Sequence, residues 1–221
     1  MPPQKANNNF RAVIFDMDGV IVDSEPRHER AFLEVAKAIG YGATHGVSWA
    51  DYVGRSDREL WVDFVARHNP PQSLEHLLKL KRDRVLEILQ RDQPVFAGLV
   101  ELVEKLARVC RLGLASGSER AEVDAVLSLK ELRRHFSAVV SVSEVRRGKP
   151  DPEIFLRTAE LLGVAPAECW VIEDSKPGVA AALAAGMRVI GITNTHPADE
   201  LRPATVVVEN YAEIERLLLG D

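Results

Sequence analysis

The chain has 221 residues, with 28 Lys and Arg against 33 Asp and Glu, a net charge of −5. That length suits one large domain or a core with a smaller insert, and either buries a sizeable core. The mild acidity gives no broad reason to bind nucleic acid, the short run Arg146-Arg147-Gly148-Lys149 does not reverse it, and no apolar stretch reaches membrane-spanning length.

Residues Met1 to Asn9 are polar and lack the apolar region of a secretion signal, so they read as a loose tail and the cytoplasm is the expected compartment. The first strand is Val13-Ile14-Phe15, a run suited to burial on both faces. It runs straight into Asp16-Met17-Asp18-Gly19. Asp23-Ser24-Glu25-Pro26 then reads as a turn and helix start, with Ser24 as N-cap. Ala31, Phe32, Val35, Ala36 and Ile39 recur at helical spacing, and Gly40 stops the helix. From there to about Gln93 no good strand appears. Leu60, Trp61, Phe64 and Val65 suggest a second helix, which Pro70-Pro71 breaks, and Ser73 caps a third. Trp49, Tyr52 and Trp61 fit helix packing better than base stacking.

The pattern changes at Pro94 and Gly98. A helix at Leu99–Ala107 precedes the strand Leu112-Gly113-Leu114-Ala115, which ends in Ser116-Gly117-Ser118. Another helix leads to the strand Ala138–Val140, and the helix Pro152–Leu162 leads to Cys169–Ile172, which ends in Glu173-Asp174. An alanine-rich helix, Pro177–Ala185, closes at Gly186, and the strands Val189–Ile192 and Val206–Val208 follow. Alternating strand and helix predicts an α/β fold, a parallel sheet with helices on both faces. The core is then 10–25 with 94–221, and 26–93 is an inserted all-α block. Cys110 and Cys169 each precede an apolar run. They are too few for a disulfide framework or a zinc site and read as small buried hydrophobes.

The strand ends offer Asp16 and Asp18, then Ser116, then Glu173 and Asp174, with Lys149 on a nearby loop. Right-handed crossovers bring such ends to one edge of the sheet, where ligands of open α/β sheets bind. Like charges near 4 Å repel by about 4 kcal/mol per pair at an effective dielectric of 20. A divalent cation relieves this, and an oxygen-only set suits Mg²⁺. A carboxylate such as Asp16 can attack a phosphoryl group and become an aspartyl-phosphate. Lys149 and Mg²⁺ would supply the positive charge that this approach needs. A second acid, Asp18, would protonate the leaving oxygen and then activate the acceptor. Ser116 and the N–H groups around Gly117-Ser118 could cradle phosphate oxygens. An EF-hand reading of Asp-x-Asp-Gly fails, because the glycine comes too early and a strand precedes it.

Phe15-Asp16-Met17-Asp18-Gly19-Val20, Ser116-Gly117-Ser118, Gly148-Lys149-Pro150 and Ile172-Glu173-Asp174-Ser175 together resemble the four motifs of the haloacid dehalogenase-like (HAD) hydrolases. Within that superfamily the chain resembles the β-phosphoglucomutase-like and small sugar-phosphate phosphatase group. The resemblance implies a Rossmann-like core with a helical cap inserted after the first strand. It implies Asp16 as nucleophile and Asp18 as general acid/base. Mg²⁺ would be held by Asp16, the backbone carbonyl of Asp18 and Asp174, with Glu173 supporting or joining them. Ser116 and Lys149 would bind phosphate. The superfamily's dehalogenases lack an aspartate two positions after the nucleophile, so Asp18 argues for phosphoryl transfer.

Phosphatase and mutase share the first half-reaction, and the cap decides whether water or a sugar hydroxyl takes the phosphoryl group. His28 fits a hinge position that the mutases use. Those mutases carry an arginine three residues after a cap glycine, whereas Gly54-Arg55-Ser56-Asp57-Arg58 places Asp57 there. Arg55 and Arg58 are candidate clamps for substrate or phosphate. The expected function is a Mg²⁺-dependent phosphatase of a small sugar or polyol phosphate. A β-phosphoglucomutase-type mutase is the alternative, and a binding protein with a vestigial site comes third. The expected partner is a small phosphorylated metabolite, with neither nucleic acid nor membrane, and the expected state is a monomer or weak homodimer.

Overall fold

In the computed structural model, which describes residues 10–52 and 56–220, the apolar run before Asp16 forms the buried strand β1 (Ala12–Phe15). Five further strands are described: β2 (Arg111–Ala115), β3 (Ala138–Val140), β4 (Cys169–Glu173), β5 (Arg188–Ile192) and β6 (Val206–Val208). They form one sheet in the order β3-β2-β1-β4-β5-β6, with every neighbouring pair parallel. The order runs outward in both directions from the β1/β4 pair, so the topological switch point lies between these strands. In sheets of this kind the ligand crevice opens outside the carboxyl ends at that point. Phe15 is in register with both Leu114 and Ile172. The residues following β1, β2 and β4 therefore emerge together at one edge.

Alternation along each strand sends its side chains to opposite faces. On one face Ala12, Ile14, Val171 and Val189 pack with Phe155 and Ala159 of helix α6 (Glu153–Leu162) and Val179 and Ala182 of α7 (Lys176–Ala184). Phe15 turns to the other face and meets Phe136 edge-on at 5.8 Å. The remaining helices of this unit are α4 (Leu99–Leu106), α5 (Arg120–Ser128) and α8 (Tyr211–Leu219). α8 lies beyond the last element read from sequence, although Tyr211, Ile214 and Leu218 form its buried stripe and Asn210 caps it.

The chain divides into two units, one reaching Val22 and resuming at Val95, the other Asp23–Pro94. The described residues of the second unit form the helices α1 (Glu25–Ala38), α2 (Asp57–His68) and α3 (Leu74–Asp92), with no strand among them. Phe32, Val35, Leu60, Trp61, Phe64 and Leu77 form its core, with Trp49 and Tyr52 packed against them. Phe32, Trp61 and Phe64 make ring contacts of 5.1 to 6.2 Å. The three cap aromatics thus serve packing, and the Trp49 indole N–H donates to Glu25 while the Tyr52 hydroxyl donates to Asp63.

Two local expectations need correction. Ser24 stands at the N-cap of α1, but its backbone is already helical, and its side chain makes no capping hydrogen bond. Ser73 does cap α3, accepting from the His76 N–H at 3.3 Å. Cys169 is buried, but Cys110 is only partly so, because it sits in the turn after α4 rather than inside the strand. Burial pushes the Cys169 thiol up to about 11 and that of Cys110 to about 12, so neither is an activated thiolate. Among the described residues no helix is long and apolar enough to cross a membrane. The N-terminal segment Met1–Asn9 and Arg55 lie outside the described residues.

Candidate active site

Asp16 follows β1 directly, and its N–H donates to the Ile172 carbonyl at 3.0 Å, continuing the ladder with β4. Its carboxyl is therefore delivered beside Glu173, the last residue of β4, and Asp174, which follows it. All three are buried, and one carboxylate oxygen from each lies within 4.8 Å of the others. The donor set is oxygen only and carries an excess of negative charge, which fits a hard divalent cation.

Lys149 reaches this cluster from the loop before α6. Its ammonium donates to Asp16 Oδ1 at 2.5 Å and to Glu173 Oε1 at 2.6 Å, and stands 5.0 Å from the centre of the Phe155 ring. Burial opposes the lysine's charge, but the two carboxylates outweigh it and hold Lys149 firmly protonated. One cation does not balance three acids. Burial, followed by repulsion from Glu173, pushes Asp174 up to about 7. Asp16 is also raised well above the ordinary carboxylate range. Burial is the main cause there, Lys149 works against it, and Glu173 and Asp174 add repulsion.

Glu173 is the most committed of the acids. Its Oε2 accepts from the Asp174 N–H, the Ser175 N–H and the Ser175 hydroxyl, each at 2.9 Å. These donors open α7, where the helix dipole favours a negative charge. A Cβ at position 178 would overlap the Glu173 carboxylate, so Gly178 keeps the space this side chain occupies. With one oxygen on Lys149 and the other on the helix start, Glu173 fits the supporting role better than that of an open ligand.

Asp18 lies in the tight turn after β1, where the Ile21 N–H donates to the Met17 carbonyl at 2.7 Å and the Gly19 N–H to that of Val22 at 2.9 Å. Gly19 has φ of +76°, and a side chain there would run into Asp174. This close approach keeps the turn against the acid cluster. Asp18 Oδ2 accepts the Ser118 hydroxyl proton at 2.6 Å. Ser118, expected to cradle phosphate through its loop, thus has its hydroxyl on the second aspartate. Ser116 is fully buried and its Oγ accepts from the Ser118 N–H at 3.0 Å, which shapes the loop around Gly117.

The cap residues singled out by sequence occupy a different kind of setting. Lys81 is fully buried within the cap, paired with the Asp57 carboxylate, and its ammonium stands 3.1 Å from His28 Nδ1. Arg58 pairs with Glu75 at 2.9 Å, both well exposed. Sequence reading passed over Lys81, because a lysine inside a helix with an apolar stripe reads as a solvated charge. It likewise passed over Asn194, Thr195 and Tyr211, whose side chains touch the Gly19 turn or Asp174.

The family model of the haloacid dehalogenase-like hydrolases matches residues 10–186. The chain is 34% identical over 190 residues to a phosphorylated carbohydrates phosphatase of Thermotoga maritima, spanning 84% of this chain and 87% of the relative. It is 32% identical over 184 residues to a fructose-1-phosphate phosphatase of Escherichia coli K12, spanning 83% and 96%. The solved β-phosphoglucomutase of Clostridium difficile superposes with a TM-score of 0.73 at 25% identity, covering 94% of this chain and 96% of that one. The buried acids at the β1/β4 switch point stand within the matched span, and the chain belongs to the haloacid dehalogenase-like hydrolases.

Proposed function

We propose that the protein is a Mg²⁺-dependent phosphatase of a small sugar or polyol phosphomonoester, working through a phosphorylated Asp16. The observation that carries this reading is the setting of the two aspartates. Asp16 is buried in an acid cluster with one lysine, and Asp18, two residues on, sits in the adjoining turn with its carboxylate on Ser118. A carboxylate oxygen of Asp16 attacks phosphorus, and the bond from phosphorus to the leaving oxygen breaks. Asp18 gives its proton to that oxygen. Asp18 then takes a proton from water, which attacks the acyl phosphate and restores the Asp16 carboxylate. Lys149 orients Asp16 and offsets charge on the phosphoryl oxygens, while Ser116 and the Gly117 N–H line the loop that would receive them. When bound by Asp16, Asp174 and the Asp18 carbonyl, Mg²⁺ supplies further charge neutralisation at the phosphoryl group. Free thiols at Cys110 and Cys169 agree with a cytoplasmic setting.

Likeness to β-phosphoglucomutases supports a second reading, transfer to a sugar hydroxyl. The cap favours the first. Asp57, at the position where the mutases carry arginine, neutralises Lys81, so this cluster offers little surplus charge to a second phosphate. His28 beside Lys81, with Arg55 and Arg58, remains the proposed set for substrate recognition. The test is Mg²⁺-dependent phosphate release over sugar, polyol and nucleoside monophosphates, run beside a coupled β-glucose-1-phosphate isomerisation assay. Release from hexose or hexitol phosphates is expected. Isomerisation without release would replace the phosphatase reading with the mutase one.

A further inference from the structure

The turn that carries Asp18 is held from outside by two side chains on the far half of the sheet. Asn194 lies in the loop after β5, and its amide nitrogen donates to the Gly19 carbonyl at 2.8 Å and to the Tyr211 phenol oxygen at 2.9 Å. Tyr211 opens α8 and donates its hydroxyl proton to the Val20 carbonyl at 2.6 Å. A primary amide has two N–H groups, and both are used. A phenol has one proton, and it is used too. The direction of every bond in this chain is thereby set. Turning the Asn194 amide over would face its oxygen to the Gly19 carbonyl and lose that bond.

The two anchors are themselves rigid. Asn210 caps α8 by accepting from the Glu213 N–H at 3.1 Å, and the Thr193 N–H ties the β5 loop to the Val208 carbonyl at 3.1 Å. The next residue after Asn194, Thr195, places its hydroxyl beside Gly19, next to the Asp174 carboxyl. One loop therefore holds the Gly19 turn and lies next to the acid against which Gly19 is pressed. The carbonyls of Gly19 and Val20 follow Asp18 directly, so their placement sets the backbone from which the Asp18 carboxyl swings.

We infer that Asn194 and Tyr211 are positioning residues of the reaction, which hold the Gly19–Val20 backbone so that Asp18 meets the leaving oxygen. The inference rests on the reading of Asp18 as the general acid. The pair serves proton transfer to the leaving group and not the attack by Asp16, whose place is set by β1 and Lys149.

Tyr211→Phe, which removes one hydroxyl and keeps the ring, and Asn194→Ala are compared with the parent protein and Asp18→Asn. The reading is kcat/KM for a hexitol phosphate against 4-nitrophenyl phosphate, because kcat/KM reports only the steps through departure of the leaving group. Nitrophenolate leaves without a proton, whereas an alkoxide needs one. Misplacing a catalytic group by about 1 Å costs up to about 100-fold. Each variant should therefore lose roughly 10- to 100-fold on the hexitol phosphate and under about 3-fold on the aryl ester. Equal losses on both esters, or no loss on either, in variants with near-parental Tm would overturn the inference. If Asp18→Asn itself falls equally on both, the acid assignment fails and this inference goes with it. If only Asp18→Asn discriminates, the positioning role alone is lost.

Discussion

Two clusters of buried ionic groups among the described residues differ in charge balance. In the core, Asp16, Glu173 and Asp174 surround a single Lys149. In the cap, one buried Lys81 meets one Asp57, with His28 alongside. Desolvation penalises both sets, since burying charge costs more than a lone pair usually returns. The cap cluster settles that cost internally. The core cluster cannot, and its raised carboxyl groups at Asp16 and Asp174 are the sign of it. A buried site short of positive charge suits a cation, and its oxygen-only donors fit a hard divalent one. A balanced site is more useful for holding helices and shaping a surface.

The sharpest way to break this contrast is Asp16→Asn. It removes the proposed nucleophile, and phosphate release should fall about 10⁴-fold or more. Hydroxylamine-sensitive phosphate should vanish from the quenched protein. Metal-free stability should not fall, because the substitution removes a like charge from the cluster. Turnover that persists in the Asp16→Asn variant would end the nucleophile assignment.

Lys149→Met tests the same cluster from the other side. The lone cation goes and three acids stay, so activity should drop roughly 10²- to 10³-fold. The metal-free protein should lose about 3–5 kcal/mol in denaturant titration, with Mg²⁺ restoring part of that loss. If stability were unchanged, Lys149 would not be the group that holds the acids together.

Metal and pH act next in size. The unfolded carboxyls titrate near pKa ~3.9, while Asp174 in the folded chain lies at about 7. A raised folded value means that the protonated form is favoured by folding. Its stabilising contribution is complete below about pH 4 and is lost as pH rises through 7. The Tm of metal-free protein should therefore fall across this window through the cluster. Mg²⁺ at about 100 times its Kd adds about 2.7 kcal/mol, or roughly 5–10 °C for a chain of this size. The increment should be larger at pH 8 than at pH 5, where protons compete for the ligands. Equal increments measured by scanning calorimetry at both values would separate the acid cluster from metal binding.

The smallest effects belong to the cap, and their asymmetry carries the message. Asp57→Asn strands a buried lysine and should cost about 2 kcal/mol. Lys81→Met leaves an aspartate that still reaches water and should cost under about 1 kcal/mol. Combining them should recover much of the first loss. Equal costs would mean that the pair is not the balanced unit described here.

The motif residues were legible because each is tied to a local pattern. Val13 to Phe15 can be little other than a buried strand, and an acid after such a strand lands at the sheet edge whatever lies elsewhere. The same holds for Ser116 after β2 and for Glu173-Asp174 after β4. Other elements left weaker signals. Helix α8 has only nine residues, and its asparagine cap and apolar spacing are too short to stand out alone. Ser24 has the residue type and position of a cap, but the backbone there is helical and the side chain makes no capping hydrogen bond.

By itself the amino-acid order determined the parallel sheet, the inserted helices and the acids that gather at the carboxyl edge, since these follow from periodicity and from residues adjacent along the chain. Only the tertiary structure decided what each polar group does once there. It committed Glu173 to Lys149 and the α7 start, turned the Ser118 hydroxyl onto Asp18, matched Lys81 to Asp57, and brought Asn194 and Tyr211 to the turn beyond Gly19. Hydrogen-bond partnership depends on distances of a few ångströms between segments far apart in sequence, and no local pattern encodes such distances.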